Sequence, residues 1–194
     1  NKVAHDLTQW HNPGNVKMKF ASPPERMSMK NTLVFIHGLE STSQGNKAQY
    51  FRKVFPEMII EDYTGSLAAR MQKLKKVLEG KTNLILVGSS YGGLMAARFA
   101  LDSEPMIRKL ILLAPALTIE GFEQAVRQKL QIPTVLYHGT RDDVVPPQAV
   151  KAIAEKTFAR LEHHFVEDDH PLNNVFPTLP WPLLLEQGPA AETD

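Results

Sequence analysis

The 194 residues are 43% hydrophobic and 22% charged, an ordinary balance for one globular domain, and the formal net charge of +1 offers no basic footprint for nucleic acid. Cysteine is absent, which excludes disulfides, thiolate zinc sites and a cysteine nucleophile. No apolar stretch reaches membrane-spanning length and no signal-peptide pattern is visible, so the expected location is the cytoplasm; residue 1 is Asn rather than Met, which leaves room for a leader upstream.

In chain order, Val16 to Phe20 alternates apolar and basic residues behind a turn-like His11-Asn12-Pro13-Gly14-Asn15. Residues 1–30 therefore read as an N-terminal extension or edge hairpin ahead of a domain spanning 31–194. From residue 32 short apolar runs alternate with amphipathic stretches. Leu33 to His37 reads as a buried strand and Lys47 to Val54 as a helix, then Met58 to Glu61 as a short strand. Leu67, Met71, Leu74, Val77 and Leu78 recur at helical spacing, with Gly80 as a stop. Leu84 to Val87 is a strand that runs through a Gly-Ser turn into a helix over Leu94 to Leu101. A strand over Leu110 to Leu113 follows, then a helix marked by Phe122, Ala125, Val126 and Leu130. Pro133 to His138, Ala149 to Phe158 and Leu161 to Val166 read as strand, helix and strand. His163 and His164 point to opposite faces of that last strand, so at least one of them is expected to be buried. The tail Leu179-Pro180-Trp181-Pro182-Leu183-Leu184-Leu185 is too proline-broken to start a helix before Leu183. Strands alternating with helices imply parallel strands joined by crossovers. The fold class is α/β, a mostly parallel sheet with helices on both faces.

Gly88-Ser89-Ser90-Tyr91-Gly92 fits G-x-S-x-G between a strand and a helix. A serine on such a sharp turn stands exposed, and the helix start beside it supplies free N–H groups, of which that of Tyr91 is aimed at an oxyanion. The flanking glycines select Ser90 over Ser89. A serine needs a base to take its proton and a carboxylate to orient that base. The strand ending at His138 runs into Gly139-Thr140-Arg141-Asp142-Asp143, and the strand ending at Val166 runs into Glu167-Asp168-Asp169-His170. Asp142 and His170 are the candidate acid and base, with Asp143 as the competing acid. His138 lies too close to Asp142 in sequence to serve as the base. His163, His164, Asp168, Asp169 and His170 cluster, but without metal-ligand spacing, so no metal and no cofactor is expected.

These motifs, together with His37-Gly38-Leu39 after the first strand and Val145-Pro146 after Asp142, resemble the α/β-hydrolase superfamily, and within it the small, lid-less, esterase-like serine hydrolases. The resemblance spans roughly residues 32–175. It implies a triad of Ser90, Asp142 and His170, with Asp142 chosen over Asp143 by its distance from the strand-end glycine, and an oxyanion hole from the N–H groups of Leu39 and Tyr91. The implied activity is hydrolysis of a small-molecule ester through an acyl-enzyme on Ser90, with acyl thioesterase as the alternative. A non-catalytic binding protein on the same fold is the rival class, whose mark would be a missing triad residue. Nucleic acid and membrane are not expected partners, and the oligomeric state is open. The stretch 114–132 holds one crossover helix and leaves nothing over for a cap, so a shallow acyl pocket is expected.

Overall fold

The computed structural model describes residues 30–186, and the hairpin expected within residues 1–30 lies outside the described residues. Six strands form: β1 (Thr32–Ile36), β2 (Ile59–Ile60), β3 (Leu84–Ser89), β4 (Ile107–Leu113), β5 (Thr134–Gly139) and β6 (Leu161–Val166). They build one sheet in the order β2-β1-β3-β4-β5-β6, every pair parallel. β1 is thus second from one edge, with β2 outside it and β3 to β6 following in order on its other side.

The central strands are near-continuous Leu, Val, Ile and Phe because both sheet faces are covered. Successive side chains leave a strand on opposite faces. Val34, Ile36, Leu86 and Leu110 therefore join one buried cluster, and Leu33, Phe35, Val87 and Ile111 join the other. The first face carries Leu74 of α2 (Leu67–Val77), Leu94 of α3 (Tyr91–Ser103) and Val150 of α5 (Pro147–Thr157). α2 begins at Ser66, whose hydroxyl accepts from the Ala69 N–H as an N-cap. The second face carries Phe51 of α1 (Asn46–Val54) and the turn α6 (Trp181–Leu184). Among the described residues no helix is long and apolar enough to cross a membrane.

Three local expectations need correction. The helix over Phe122 to Leu130 is a single turn, α4 (Phe122–Ala125), after which Val126 is extended. Phe122 and Leu130 are both buried, so the apolar spacing is real. However, Leu130 is drawn into a parallel bridge with Phe158, its N–H donating to the Thr157 carbonyl and its carbonyl accepting from Ala159 N–H. An extended bridge at Leu130 and a helix through it are incompatible, and the tertiary hydrogen bonds win. In the tail, one helical turn does start at Trp181, because proline fits the first helical positions, where an N–H has no partner. Trp181 is fully buried, packs edge-on against Phe51 at 4.8 Å, and donates Nε1–H to the Phe176 carbonyl. Finally, neither His163 nor His164 is buried: β6 is an edge strand and leaves both half-covered, His164 stacked on Tyr137.

Candidate active site

Parallel strands send all their carboxyl ends to one side, and ligands of open α/β sheets sit there. Ser90 follows β3, Leu39 follows β1, Asp142 follows β5 and His170 follows β6. In the sheet β1 neighbours β3 and β5 neighbours β6, with only β4 between the two pairs.

Ser90 sits at φ 54°, ψ −117°, a conformation that L-residues rarely adopt. It is held there by its own backbone: the N–H donates to the Leu113 carbonyl at the end of β4, and the carbonyl accepts from Gly93 and Ala116. Close approach completes the turn. A Cβ on Gly92 would fall 2.0 Å from the Ile36 carbonyl oxygen of β1, so α3 can start this near the sheet only with glycine.

The Ser90 hydroxyl donates to His170 Nε2 at 2.9 Å. On the other side of the ring, His170 Nδ1–H donates to Asp142 Oδ2 at 2.7 Å. The carboxylate can only accept, so the ring proton rests on Nδ1 and the Nε2 lone pair faces the serine. The second carboxylate oxygen accepts from the N–H groups of Val144 (3.0 Å) and Val145 (2.8 Å). Burial pushes the Asp142 carboxyl pKa up, but the Val145 N–H, His170 and the Val144 N–H together outweigh it and hold the group below the ordinary carboxylate range. Asp143, the competing acid, is exposed.

Leu39 and Tyr91 both line the cavity at Ser90. Tyr91 opens α3, so its N–H has no acceptor one turn back. The Gly38–Leu39 peptide is aimed by a side chain that sequence reasoning did not assign. The buried His37 accepts the Tyr63 N–H at Nε2 (3.0 Å), which leaves its proton on Nδ1, and Nδ1–H donates to the Gly38 carbonyl at 2.7 Å. Ser41 N–H donates to the same carbonyl. Across a trans peptide the Leu39 N–H points the opposite way. A Cβ on Gly38 would lie 3.9 Å from Ser90 Oγ, so this peptide runs directly beside the nucleophile.

His170 is presented by a loop folded around a buried anion. Asp168 accepts from the N–H groups of Asp169, Asn174 and Val175 and from the Asn174 side-chain amide. This role was also missed; Asp168 and Asp169 stood out only as part of a cluster without metal-ligand spacing. Among the described residues no group of three or more His, Asp or Glu could hold a metal.

The cavity around Ser90 is about 540 Å³. Leu39, Ile119 and Val144 line it while remaining 51%, 44% and 65% exposed, an apolar part of a lining that also includes Glu40, Lys47 and Asn173.

Residues 58–128 match the family model described as serine aminopeptidase, S33. The matched segment includes Ser90 but neither Asp142 nor His170. No curated protein sequence matches the chain. Among solved structures, Est1E from Butyrivibrio proteoclasticus with ferulic acid bound is 16% identical, with 86% of this chain and 89% of that chain covered and a TM-score of 0.62. A monoacylglycerol lipase from Paleococcus ferrophilus is 15% identical over 81% of this chain and 97% of its own, at TM-score 0.63. An α/β serine hydrolase homologue from Coxiella burnetii is 20% identical over 81% and 85%, also at 0.63.

Proposed function

We propose that this chain, which has the fold of the α/β hydrolases it is similar to, is a serine hydrolase cleaving a small ester with an apolar acyl group. Ser90 Oγ attacks the ester carbonyl while His170 Nε2 takes its proton. Asp142 stabilises the resulting imidazolium, and the N–H groups of Leu39 and Tyr91 donate to the developing oxyanion; each such donor contributes about 3–4 kcal/mol to the transition state. The tetrahedral adduct collapses, His170 returns the proton to the departing alcohol, and the acyl group remains on Ser90. Water, activated by His170, then releases the acid and regenerates the serine.

The observation that carries this reading is the unbroken hydrogen-bonded line from Ser90 Oγ through His170 to Asp142, at 2.9 and 2.7 Å. The exposed Leu39, Ile119 and Val144 beside Ser90 support an apolar acyl group, and among structures of the same fold one is named a monoacylglycerol lipase and another holds ferulic acid. A fluorophosphonate probe should label the native chain at Ser90, with Ser90→Ala unlabelled, equally folded and inactive on p-nitrophenyl esters. Equal hydrolysis by a folded Ser90→Ala protein would overturn the reading.

A further inference from the structure

Asp142 is held by one more group than a triad requires. His138, fully buried at the end of β5, places Nε2 2.9 Å from Asp142 Oδ2, the same oxygen that accepts from His170. The same Nε2 lies 3.1 Å from the Val145 carbonyl oxygen. A carbonyl only accepts, so Nε2 carries the hydrogen and shares it between the two oxygens. The other ring nitrogen, Nδ1, is buried with no hydrogen-bond partner. A protonated ring would leave an N–H donor there with nothing to accept it. His138 is therefore a neutral ring with one fixed donor, and burial, which lowers its pKa against the pull of Val145 and Asp142, acts in the same direction.

Resting on the serine-hydrolase reading, we propose that His138 is a positioning residue for that reaction, a permanently neutral donor that fixes the Asp142 carboxylate and sets how strongly it attracts the proton of His170. With His138 in place the carboxylate accepts from four donors: His138 and His170 at Oδ2, Val144 and Val145 at Oδ1. Four donors fill its acceptor sites, spread its charge and leave it no rotational freedom. Without His138, the charge on Oδ2 concentrates on His170 Nδ1–H. The imidazolium is then favoured, and the base becomes free only at higher pH. The other ionisable groups nearby lie on β6 and α5: His163 is acted on by His138, and by Lys151 and Glu155 from α5.

The test uses the full chain and the rate of fluorophosphonate labelling at Ser90 as a function of pH, which needs no knowledge of the substrate. His138→Phe keeps a ring but removes the donor; His138→Gln restores a donor near the Nε2 position. In the Phe variant the acid limb should move to higher pH by about half to one unit, with the Gln variant lying close to the parent. An unmoved limb in a folded Phe variant, or the same displacement in both variants, overturns the inference while leaving the serine-hydrolase reading intact. No labelling of the parent overturns both. Should the Phe variant fail to fold, ring ¹⁵N spectra of the unmutated chain decide. His138 should stay neutral with its proton on Nε2 while His170 titrates; a proton on Nδ1, or a His138 that takes up a second proton in step with His170, refutes it.

Discussion

The two corners of the candidate site are held by different physics. The nucleophile corner, from β3 into α3, is held by steric fit: a positive φ at Ser90, a helix pressed onto β1 at Gly92, and buried apolar neighbours along α3. The acid and base corner, residues 139–175, is held by hydrogen bonds to two carboxylates. Asp142 gathers two backbone N–H groups and two imidazoles, and Asp168 gathers three backbone N–H groups and an amide. Steric fit depends little on pH, whereas a carboxylate network lasts only as long as its charge. The nucleophile should therefore stay in place under acid conditions that release the base.

The largest effect should come from the network's functional end. Asp142→Asn should lower kcat/KM by about a thousandfold or more, since an amide can present a donor to His170 and favour the wrong tautomer. Asp143→Asn, exposed beside it, should stay within about twofold. Measuring both on one activated ester sharpens the comparison; the reverse ranking would break it.

Next is the steric corner. Gly92→Ala should cost about 3 kcal/mol or more in denaturant unfolding, because the added carbon meets backbone rather than a side chain that can swing away. Its loss of stability should be the same at neutral and mildly acidic pH. A cost that vanished on acidification would contradict a purely steric origin.

Asp168→Asn should cost about 1–3 kcal/mol at neutral pH, since an amide cannot accept at both ends. Burial raises the Asp168 pKa, but the N–H groups of Val175, Asp169 and Asn174 outweigh it and leave the folded value below the ordinary one. A depressed folded pKa gives stability that is present above the unfolded value of about 4 and is lost as pH falls through the folded value. The native chain should therefore lose stability more steeply than Asp168→Asn below about pH 4, when thermal unfolding is followed across that range. Parallel curves would show that the loop is not held by this charge.

The smallest effect concerns the rim. Val144→Ser should reduce kcat/KM by about fivefold for butyrate or hexanoate esters and leave acetate nearly unchanged, as a p-nitrophenyl ester series would show. An equal loss on every chain length would remove Val144 from acyl recognition.

Much of this molecule was legible in one dimension. Strand runs such as Leu33 to Ile36 and Leu84 to Val87 carry their own signature, because a strand covered on both faces must be apolar throughout. The nucleophile turn was legible because its backbone demands glycine at fixed offsets, a requirement local to five residues. The helix over Phe122 to Leu130 was misread for the complementary reason. Its apolar period met the burial requirement of a helix, but Leu130 meets that requirement equally well in a bridge to Phe158, and periodicity does not distinguish the two. The prolines around Trp181 hid a helical turn, because proline is tolerated in a first turn, while the indole packs against the body on Phe51.

By itself the sequence determined the α/β ladder and the chemical inventory at the strand ends, because side-chain period and turn chemistry are short-range properties of the chain. Only the tertiary structure decided which groups meet. Ser90 and His170 are 80 positions apart, and their 2.9 Å contact depends on the order and register of strands between them. The same holds for His37 aiming the Gly38 peptide through Tyr63, and for His138 and His170 sharing one oxygen of Asp142. A hydrogen bond is decided by tenths of an ångström, and that precision arises only when the sheet has closed its pairing and the loops have been folded against it.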